Sequence, residues 1–199
     1  VQAPLDMRYN PSSPLTAYQV VNRFSVIELT NIFKEYGEEP RAGKIARTIE
    51  RCRIRRPIET TTELAEIVER ALPPSAKRGR RIHPATRVFQ AIRIVVNDEL
   101  SHLRNAIDRG VEKLKERGRF CIISFHSLED RIVKQAFRAY QRGCQCPPWL
   151  PQCVCGKSPV LRSLTNRPVM PGAEEVLYNP ASRSARLRAA EKIAANRAE

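Results

Sequence analysis

The sequence lacks a long hydrophobic run and a glycine-rich turn. The first absence argues against a membrane-spanning protein, and the second argues against a chain that itself holds a phosphate or nucleotide cofactor in such a turn. No window approaches the ~18 consecutive apolar residues of a membrane span, and the first residues lack the charged-then-apolar layout of a secretory signal. We therefore expect a soluble, cytoplasmic protein. The eight glycines are widely spaced. A glycine-rich turn that cradles phosphates or nucleotide cofactors is thus absent from the sequence.

Acidic residues are too few to balance the basic ones. The sequence has 35 Lys and Arg against 21 Asp and Glu, a formal net charge of +14. Such an excess indicates a polyanionic partner, with nucleic acid as the first candidate and an acidic membrane as the second. RNA fits best, because 199 residues of which 42% are hydrophobic also build a real core.

The first part of the sequence has the spacing of short helices. Two Ser/Thr-x-x-Glu patterns, at residues 25–28 and 60–63, are typical of capping boxes at helix starts. Over residues 41–55 apolar side chains recur at helical spacing, which predicts a helix with one buried face. We therefore predict a small all-helical domain over residues 11–82, ending in the basic linker PPSAKRGRR.

A different pattern follows and predicts an α/β sheet domain over residues 83–199. A long helix is expected from HP at its start to about Leu114. RFCIISF, at 119–125, is a continuous apolar run typical of a strand buried on both faces of a parallel sheet. The Ser-x-x-Asp pattern at 127–130 predicts the cap of a following helix. SARLRAA, at 184–190, predicts a last strand with one basic face.

Basic and polar residues recur at three places where RNA contacts are expected. They lie on one face of the predicted helix at 41–55, in the basic linker, and along the helix after Pro84. These residues are Arg41, Lys44, Arg47, Arg51 and Arg55; Lys77, Arg78, Arg80 and Arg81; and Arg87, Gln90, Arg93 and Asn97. The alternative for each helix is a charged face that only contacts solvent.

Cysteines are concentrated in one proline-rich loop. Cys144, Cys146, Cys153 and Cys155 bring four thiols within twelve residues. In a reducing compartment this pattern favours a metal over two disulfides, and a zinc ion would order a loop with little core of its own. Against zinc, structural sites usually show Cys-x2-Cys spacing, so an ordinary loop stays open as the alternative.

Six stretches together resemble one known family. They are PLDMR at 4–8, FKEYGEE at 33–39, IARTI at 45–49, HPATRVFQAIRIVVNDEL at 83–100, ISFHSLEDRIVK at 123–134 and NPASRSARLR at 179–188. In this order they resemble the bacterial 16S ribosomal RNA cytosine-N4 methyltransferases (RsmH, also called MraW).

The resemblance implies a fold, a reaction and a partner. The fold would be a class I (Rossmann-like) methyltransferase domain, with residues 1–10 as the end of its first part, residues 83–199 as its C-terminal part, and the helical RNA-recognition domain at 11–82 as an insertion between them. The reaction would be methylation of the exocyclic amine of a cytosine near the decoding centre, with S-adenosylmethionine as cofactor. The partner would be 16S rRNA in the small ribosomal subunit, and neither DNA nor membrane is expected.

The resemblance also places the cofactor loop and the acidic residues that hold the ribose before PLDMR. We therefore expect an N-terminally incomplete chain whose cofactor-binding residues lie upstream of Val1 and which is inactive alone. The competing hypothesis is a basic RNA-binding or ribosome-associated module without enzymatic activity, with zinc as a stabilising ion.

Three residues are candidates for the chemistry that the resemblance implies. Methyl transfer to an exocyclic amine requires an unstacked base, an oriented amine and an acceptor for its proton. Ser124 and His126 fall at the carboxyl end of the predicted strand, where open α/β sheets bind ligands. Asp6 would orient the base or Arg8, which is itself a candidate RNA contact. The alternatives are a structural histidine and a structural Asp6–Arg8 pair.

Overall fold

A computed structural model describes residues 2–73, 83–144, 146–147, 149–152 and 154–194 of the protein. The chain divides into two compact units, Val1–Glu99 and Leu100–Glu199. The candidate RNA contacts Lys77, Arg78, Arg80 and Arg81 and the candidate ligand Cys153 lie outside the described residues. Among the described residues, no helix has the length and apolar character needed to cross a membrane.

Helices form the regular structure of the first unit. They are α1 (Ala17–Arg23), α2 (Val26–Glu35), α3 (Ala42–Arg53), α4 (Thr61–Ala71) and α5 (Thr86–Asn97). The capping boxes predicted at residues 25–28 and 60–63 are confirmed: the Ser25 and Thr60 hydroxyls each accept the backbone N–H three residues later at 3.2 Å. These bonds satisfy backbone donors that a helix start otherwise leaves without partners.

One hydrophobic core holds this unit together. The apolar face predicted for α3 is buried, and the helix packs against α2 and α4. Helix α5 joins the same core through Val88, Ala91, Ile92 and Val96. The predicted domain boundary at residue 82 therefore differs from the division in the structure, because α5 buries its apolar face in the first unit. Leu5, from the segment 1–10, is also part of this core.

The single long helix predicted from His83 to Leu114 is wrong. Asp98 adopts a left-handed conformation (φ 46°, ψ 41°) that ends α5, and α6 begins at the next residue and spans Glu99–Lys113. A left-handed residue cannot continue a right-handed helix, and Asp is one of the few side chains that tolerates this conformation. Apolar periodicity continues through the break, so it did not reveal the interruption.

A three-stranded antiparallel sheet forms the centre of the second unit. Its strands are β1 (Arg119–Ser124), β2 (Leu161–Ser163) and β3 (Arg186–Lys192), in the order β1-β3-β2. In the register of β1 with β3, residues 119 and 191 and residues 124 and 186 are opposite each other. The chain is therefore a mixed α/β protein with a small antiparallel sheet.

The expectation that β1 is buried on both faces of a parallel sheet is wrong for the described part of the chain. Its described pairing is antiparallel, and Cys121 and Ile123 are exposed. The other face is covered by α7 (Ser127–Arg142), which was predicted after this strand and buries Leu128, Ile132, Val133 and Phe137. The Phe120 and Phe137 rings lie 6.1 Å apart between centroids. An apolar run identifies a strand, but not how many layers cover it.

The start of α7 and one face of β3 also differ from the predictions made from the sequence. The cap of α7 is His126 with Glu129, not the predicted pair one residue further on. Asp130 is instead buried against Arg188, and both are 7% exposed. Strand β3 is confirmed. The prediction that one of its faces is basic is wrong, because the Arg188 side chain is buried in the ion pair with Asp130.

After α7 the chain forms an 18-residue connection, residues 143–160, before it reaches β2. The cysteine cluster lies in this connection. A short helix, α8 (Ala173–Tyr178), and a 3-10 turn (Pro180–Ser184) then lead to β3. Neither of these short elements was predicted.

Candidate functional site

The basic face of α3 is exposed along its whole length. Arg41 precedes the helix, Arg55 follows its end, and all five basic residues predicted for this face are exposed. They are Arg41, Lys44, Arg47, Arg51 and Arg55. No carboxylate of the described residues forms an ion pair with any of them. At ~1.5 Å per residue the row is about 20 Å long. We call these five residues the α3 basic row.

The polar residues of α5 instead contact the protein itself. Arg87 donates to the Glu38 carbonyl at 3.0 Å, and Gln90 donates to the Tyr36 carbonyl at 3.1 Å. Both bonds tie α5 to the chain that follows α2. This geometry favours the structural alternative over RNA contact for Arg87 and Gln90.

The other two polar residues of α5 have similar roles. Arg93 forms a bidentate pair with Glu99, at 2.7 and 3.1 Å. The Asn97 amide donates to the Met7 carbonyl at 2.9 Å and accepts the Tyr9 backbone N–H at 2.8 Å. Asn97 thus holds the N-terminal segment against α5, which also favours the structural alternative.

Asp6 and Arg8 pair with each other. Arg8 Nε and Nη2 lie 2.7 and 2.9 Å from the two carboxylate oxygens of Asp6. The guanidinium also donates to the carbonyls of Pro11 and Ser13, and its hydrogen bonds lower the pKa of the Asp6 carboxyl. Between them Met7 has a φ of 65°, unusual for a residue with a side chain. The pair fixes a tight bend, which favours the structural alternative.

Ser124 and His126 lie at the end of β1, as predicted, but each has a structural contact there. The buried Ser124 hydroxyl donates to the Arg186 carbonyl at 3.3 Å. His126 Nδ1 accepts the Glu129 backbone N–H at 3.3 Å, and the Glu129 carboxylate accepts the His126 backbone N–H at 3.2 Å. An imidazole used as a helix cap supports the structural role that the sequence left open.

A further polar feature of the second unit was not predicted. Tyr140 of α7 donates to Asp108 of α6 at 2.9 Å, and both line a cavity of about 610 Å³ together with Lys157. Burial, with the hydrogen bond to Asp108, raises the pKa of Tyr140 to about 12. Because the two residues are 32 positions apart, no local spacing in the sequence could have revealed the pair.

Three of the four predicted metal ligands come together. The sulfurs of Cys144, Cys146 and Cys155 all lie within 4.8 Å of one another. Cys144 Sγ and Cys155 Sγ are 3.8 Å apart, and the Val154 backbone N–H donates to Cys146 Sγ at 3.4 Å. The loop therefore brings together three thiols, which come from both of its Cys-x-Cys segments.

These features define a two-unit protein with a helical unit and an α/β unit. The chain belongs to the MraW methylase family, whose sequence model matches residues 1–193.

Two relatives show the extent of the similarity. The chain is 56% identical over 191 residues to the ribosomal RNA small subunit methyltransferase H of Thermomicrobium roseum, and 54% identical over 192 residues to that of Halothermothrix orenii. These matches cover 96% of the chain, but 58% and 61% of the two relatives. The chain thus spans about three fifths of the length of these relatives.

Proposed function

We propose that the chain is part of a methyltransferase that uses S-adenosylmethionine to methylate the N4 amine of a cytosine in 16S rRNA, near the decoding centre of the small ribosomal subunit. The names of the relatives support ribosomal RNA as the substrate. In this reaction the cofactor supplies the methyl group, and the protein must hold the RNA and orient an unstacked base.

The sheet unit would be the C-terminal part of a class I methyltransferase domain. Among the described residues β1 pairs with β3 alone, so its other edge is open. Ile123 and Phe125, at its end, are 55% and 54% exposed. An open edge beside exposed apolar side chains suits further strands and helices of a larger sheet domain. The greater length of the relatives supports that arrangement.

The described residues do not form a cradle for the cofactor. The two described glycines with positive φ, Gly143 and Gly156, lie in the cysteine loop, which leads from helix α7 to strand β2, whereas nucleotide-binding turns lead from a strand into the helix that follows it. We therefore assign no residue of this chain to cofactor binding.

The α3 basic row carries the RNA part of the proposal. Its five side chains are exposed: Lys44, Arg47 and Arg51 lie on α3 itself, and Arg41 and Arg55 flank its two ends. The apolar face of α3 is buried in the core. The helix is thus held rigidly with its charges toward solvent. Such a row follows a phosphate backbone and releases counterions on binding.

Changing Arg47 and Arg51 together to Gln tests this role. Gln is an adequate helix former, so the helix content by circular dichroism should stay constant. Affinity for small-subunit RNA should fall, and the slope of log K against log salt should become shallower by about 1–2, one phosphate contact per lost charge. The measurement is a fluorescence-anisotropy titration at several salt concentrations.

The matched control changes Arg23 and Lys34, exposed residues of α1 and α2, to Gln. This control removes the same charge from other helices and should alter the slope less. Equal slopes for the parent and the Arg47/Arg51 variant would show that the α3 basic row is not the RNA contact.

The reaction itself is tested in the source cells. We expect N4-methylated cytidine in small-subunit rRNA, measured by nuclease digestion and mass spectrometry, to be lost when the gene is disrupted and restored by the intact gene. An unchanged amount after disruption would refute the proposed reaction, whatever the RNA-binding result.

A further inference from the structure

The connection from α7 to β2 is held by very little hydrophobic burial. Among its described residues only Gly143 is buried, and Trp149 and Val154 are 81% and 78% exposed. The described residues of this 18-residue connection form no helix or strand, and so long an irregular connection is unusual in a compact unit. Since ordering a chain costs about 1–2 kcal/mol per residue in backbone entropy, another interaction must fix this segment.

One pair of cysteine sulfurs has the spacing of adjacent ligands in a tetrahedral zinc site, and the third sulfur lies close to both. A Zn–S bond is about 2.3 Å, so two sulfurs at adjacent corners of a tetrahedron lie about 3.8 Å apart. Cys144 Sγ and Cys155 Sγ are separated by 3.8 Å, and Cys146 Sγ is within 4.8 Å of both. A disulfide requires about 2.05 Å between sulfurs, so this geometry is that of separate thiols.

The backbone around the cluster supports charged sulfurs. The Val154 N–H donates to Cys146 Sγ at 3.4 Å, and a hydrogen bond of this kind orients and stabilises a metal-bound thiolate. Arg138 and Arg142 line one cavity together with Cys144. A divalent ion bound by several thiolates carries a net negative charge, and the positive charges of these two arginines stabilise it.

Two glycines bring the cysteines together. Gly143, directly before Cys144, has a φ of 68°, and a side chain there would lie 2.3 Å from the Ser158 carbonyl carbon. The backbone at Ser158 therefore lies so close to Gly143 that a residue with a side chain does not fit there. Gly156, directly after Cys155, also has a positive φ of 62°, a conformation that glycine adopts without strain.

We propose that Cys144, Cys146 and Cys155 bind one Zn²⁺ as thiolates and that this ion fixes the connection between α7 and β2. Each thiol releases its proton to solvent as the metal binds. Thiolate ligands select zinc over harder ions such as Mg²⁺ and Ca²⁺. The site requires only these three described residues. It is independent of the proposed methyltransferase activity.

The test measures the metal directly. The chain, expressed with zinc and purified without chelator, should contain about one zinc per molecule by elemental analysis. Replacement by Co²⁺ should give a thiolate-to-cobalt charge-transfer band and the intense visible bands of a tetrahedral ion. Cys146→Ser and Cys155→Ser should each lower zinc affinity at least tenfold in a competition titration with a chromogenic chelator.

Cys121→Ser is the matched control, because Cys121 is an exposed cysteine of β1 outside the cluster. It should leave zinc content and the cobalt spectrum unchanged. Circular dichroism identifies any serine variant that fails to fold, and the cobalt spectrum of the parent does not depend on the variants. Two results would overturn the proposal. One is parent protein that has neither stoichiometric zinc nor tetrahedral cobalt bands. The other is a Cys144–Cys155 disulfide, detected by mass spectrometry in protein purified under reducing conditions.

Discussion

Changing Asp130 to Asn tests the buried ion pair that joins α7 to β3. The Asp130 carboxylate accepts from Arg188 at 2.6 and 3.1 Å, and Arg186 approaches one of its oxygens at 3.4 Å. Asn has nearly the same shape but no charge, and it offers one acceptor oxygen in place of two. The change therefore removes the countercharge of Arg188 without opening a cavity.

The expected loss follows from the burial of Arg188. Because Arg188 is 7% exposed, it cannot recover its hydration when its partner is neutralised. Removing one member of a buried pair typically costs about 3–5 kcal/mol, since the other charge remains buried without compensation. That cost is a large part of the stability of a domain of this size, so the second unit should be destabilised selectively.

The pH dependence has a definite sign. Hydrogen bonds from Arg188, with its positive charge, lower the pKa of Asp130 from its ordinary value of 3.8. A carboxyl whose pKa is lower in the folded state stabilises the fold above the unfolded-state pKa and loses that contribution as pH falls through the folded-state value. The stability difference between parent and variant should be constant near neutral pH and shrink below about pH 4.

Hydrogen exchange with peptide-level mass spectrometry is the suitable assay, because the chain has two units and a single unfolding curve need not describe both. Peptides covering β1 and β3 should exchange faster in the Asp130→Asn variant, while those covering α2 and α3 keep their protection. Glu191→Gln is the control, because it breaks ion pairs with the exposed Arg119 and Arg162 and should have a much smaller effect. Unchanged protection of β3 in the Asp130 variant would refute the reasoning.

Two further changes test the second unit. Gly143→Ala should destabilise the connection to β2 by more than about 1 kcal/mol, because of the positive φ and the close Ser158 backbone. Gly172→Ala, at a site with open space, should be nearly neutral in the same denaturation experiment, and equal effects would contradict this. In an ultraviolet titration Tyr140 should ionise at about pH 12, above the ordinary value of 10, and Asp108→Asn should lower that pKa by removing the negative charge beside the Tyr140 hydroxyl. A titration in which no tyrosine ionises above the ordinary range would be evidence against the raised pKa of Tyr140.

Local patterns in the sequence predicted what local interactions determine. A capping box needs residues three positions apart, and the apolar face of α3 needs only helical periodicity, so both are confirmed. The cysteine cluster was predictable for the same reason, because its cysteines lie within twelve residues of one another. The cap of α7 was missed by one position, since His is a less common capping residue than Ser and the Ser127 pattern was equally regular.

Features that depend on distant residues were not predictable in this way. Arg188 looked like part of a basic strand face because its partner, Asp130, is 58 positions away. The antiparallel pairing of β1 with β3 joins residues more than 60 positions apart, and the apolar run of β1 contains no information about its partner. The break at Asp98 depends on one backbone conformation that the continuous apolar pattern conceals.

The same distinction separates the basic residues that are available for the proposed RNA contact from those that are not. Three arginines form ion pairs with carboxylates of the protein itself: Arg8, Arg93 and Arg188. The formal charge of +14 therefore overstates the positive charge that is available to a partner. The α3 basic row is different, because its helix buries the opposite face and the described carboxylates form no ion pair with it. The salt dependence of RNA binding counts phosphate contacts and not total charge. It should therefore respond to changes in this row and remain nearly unchanged when Arg93 is replaced by Gln.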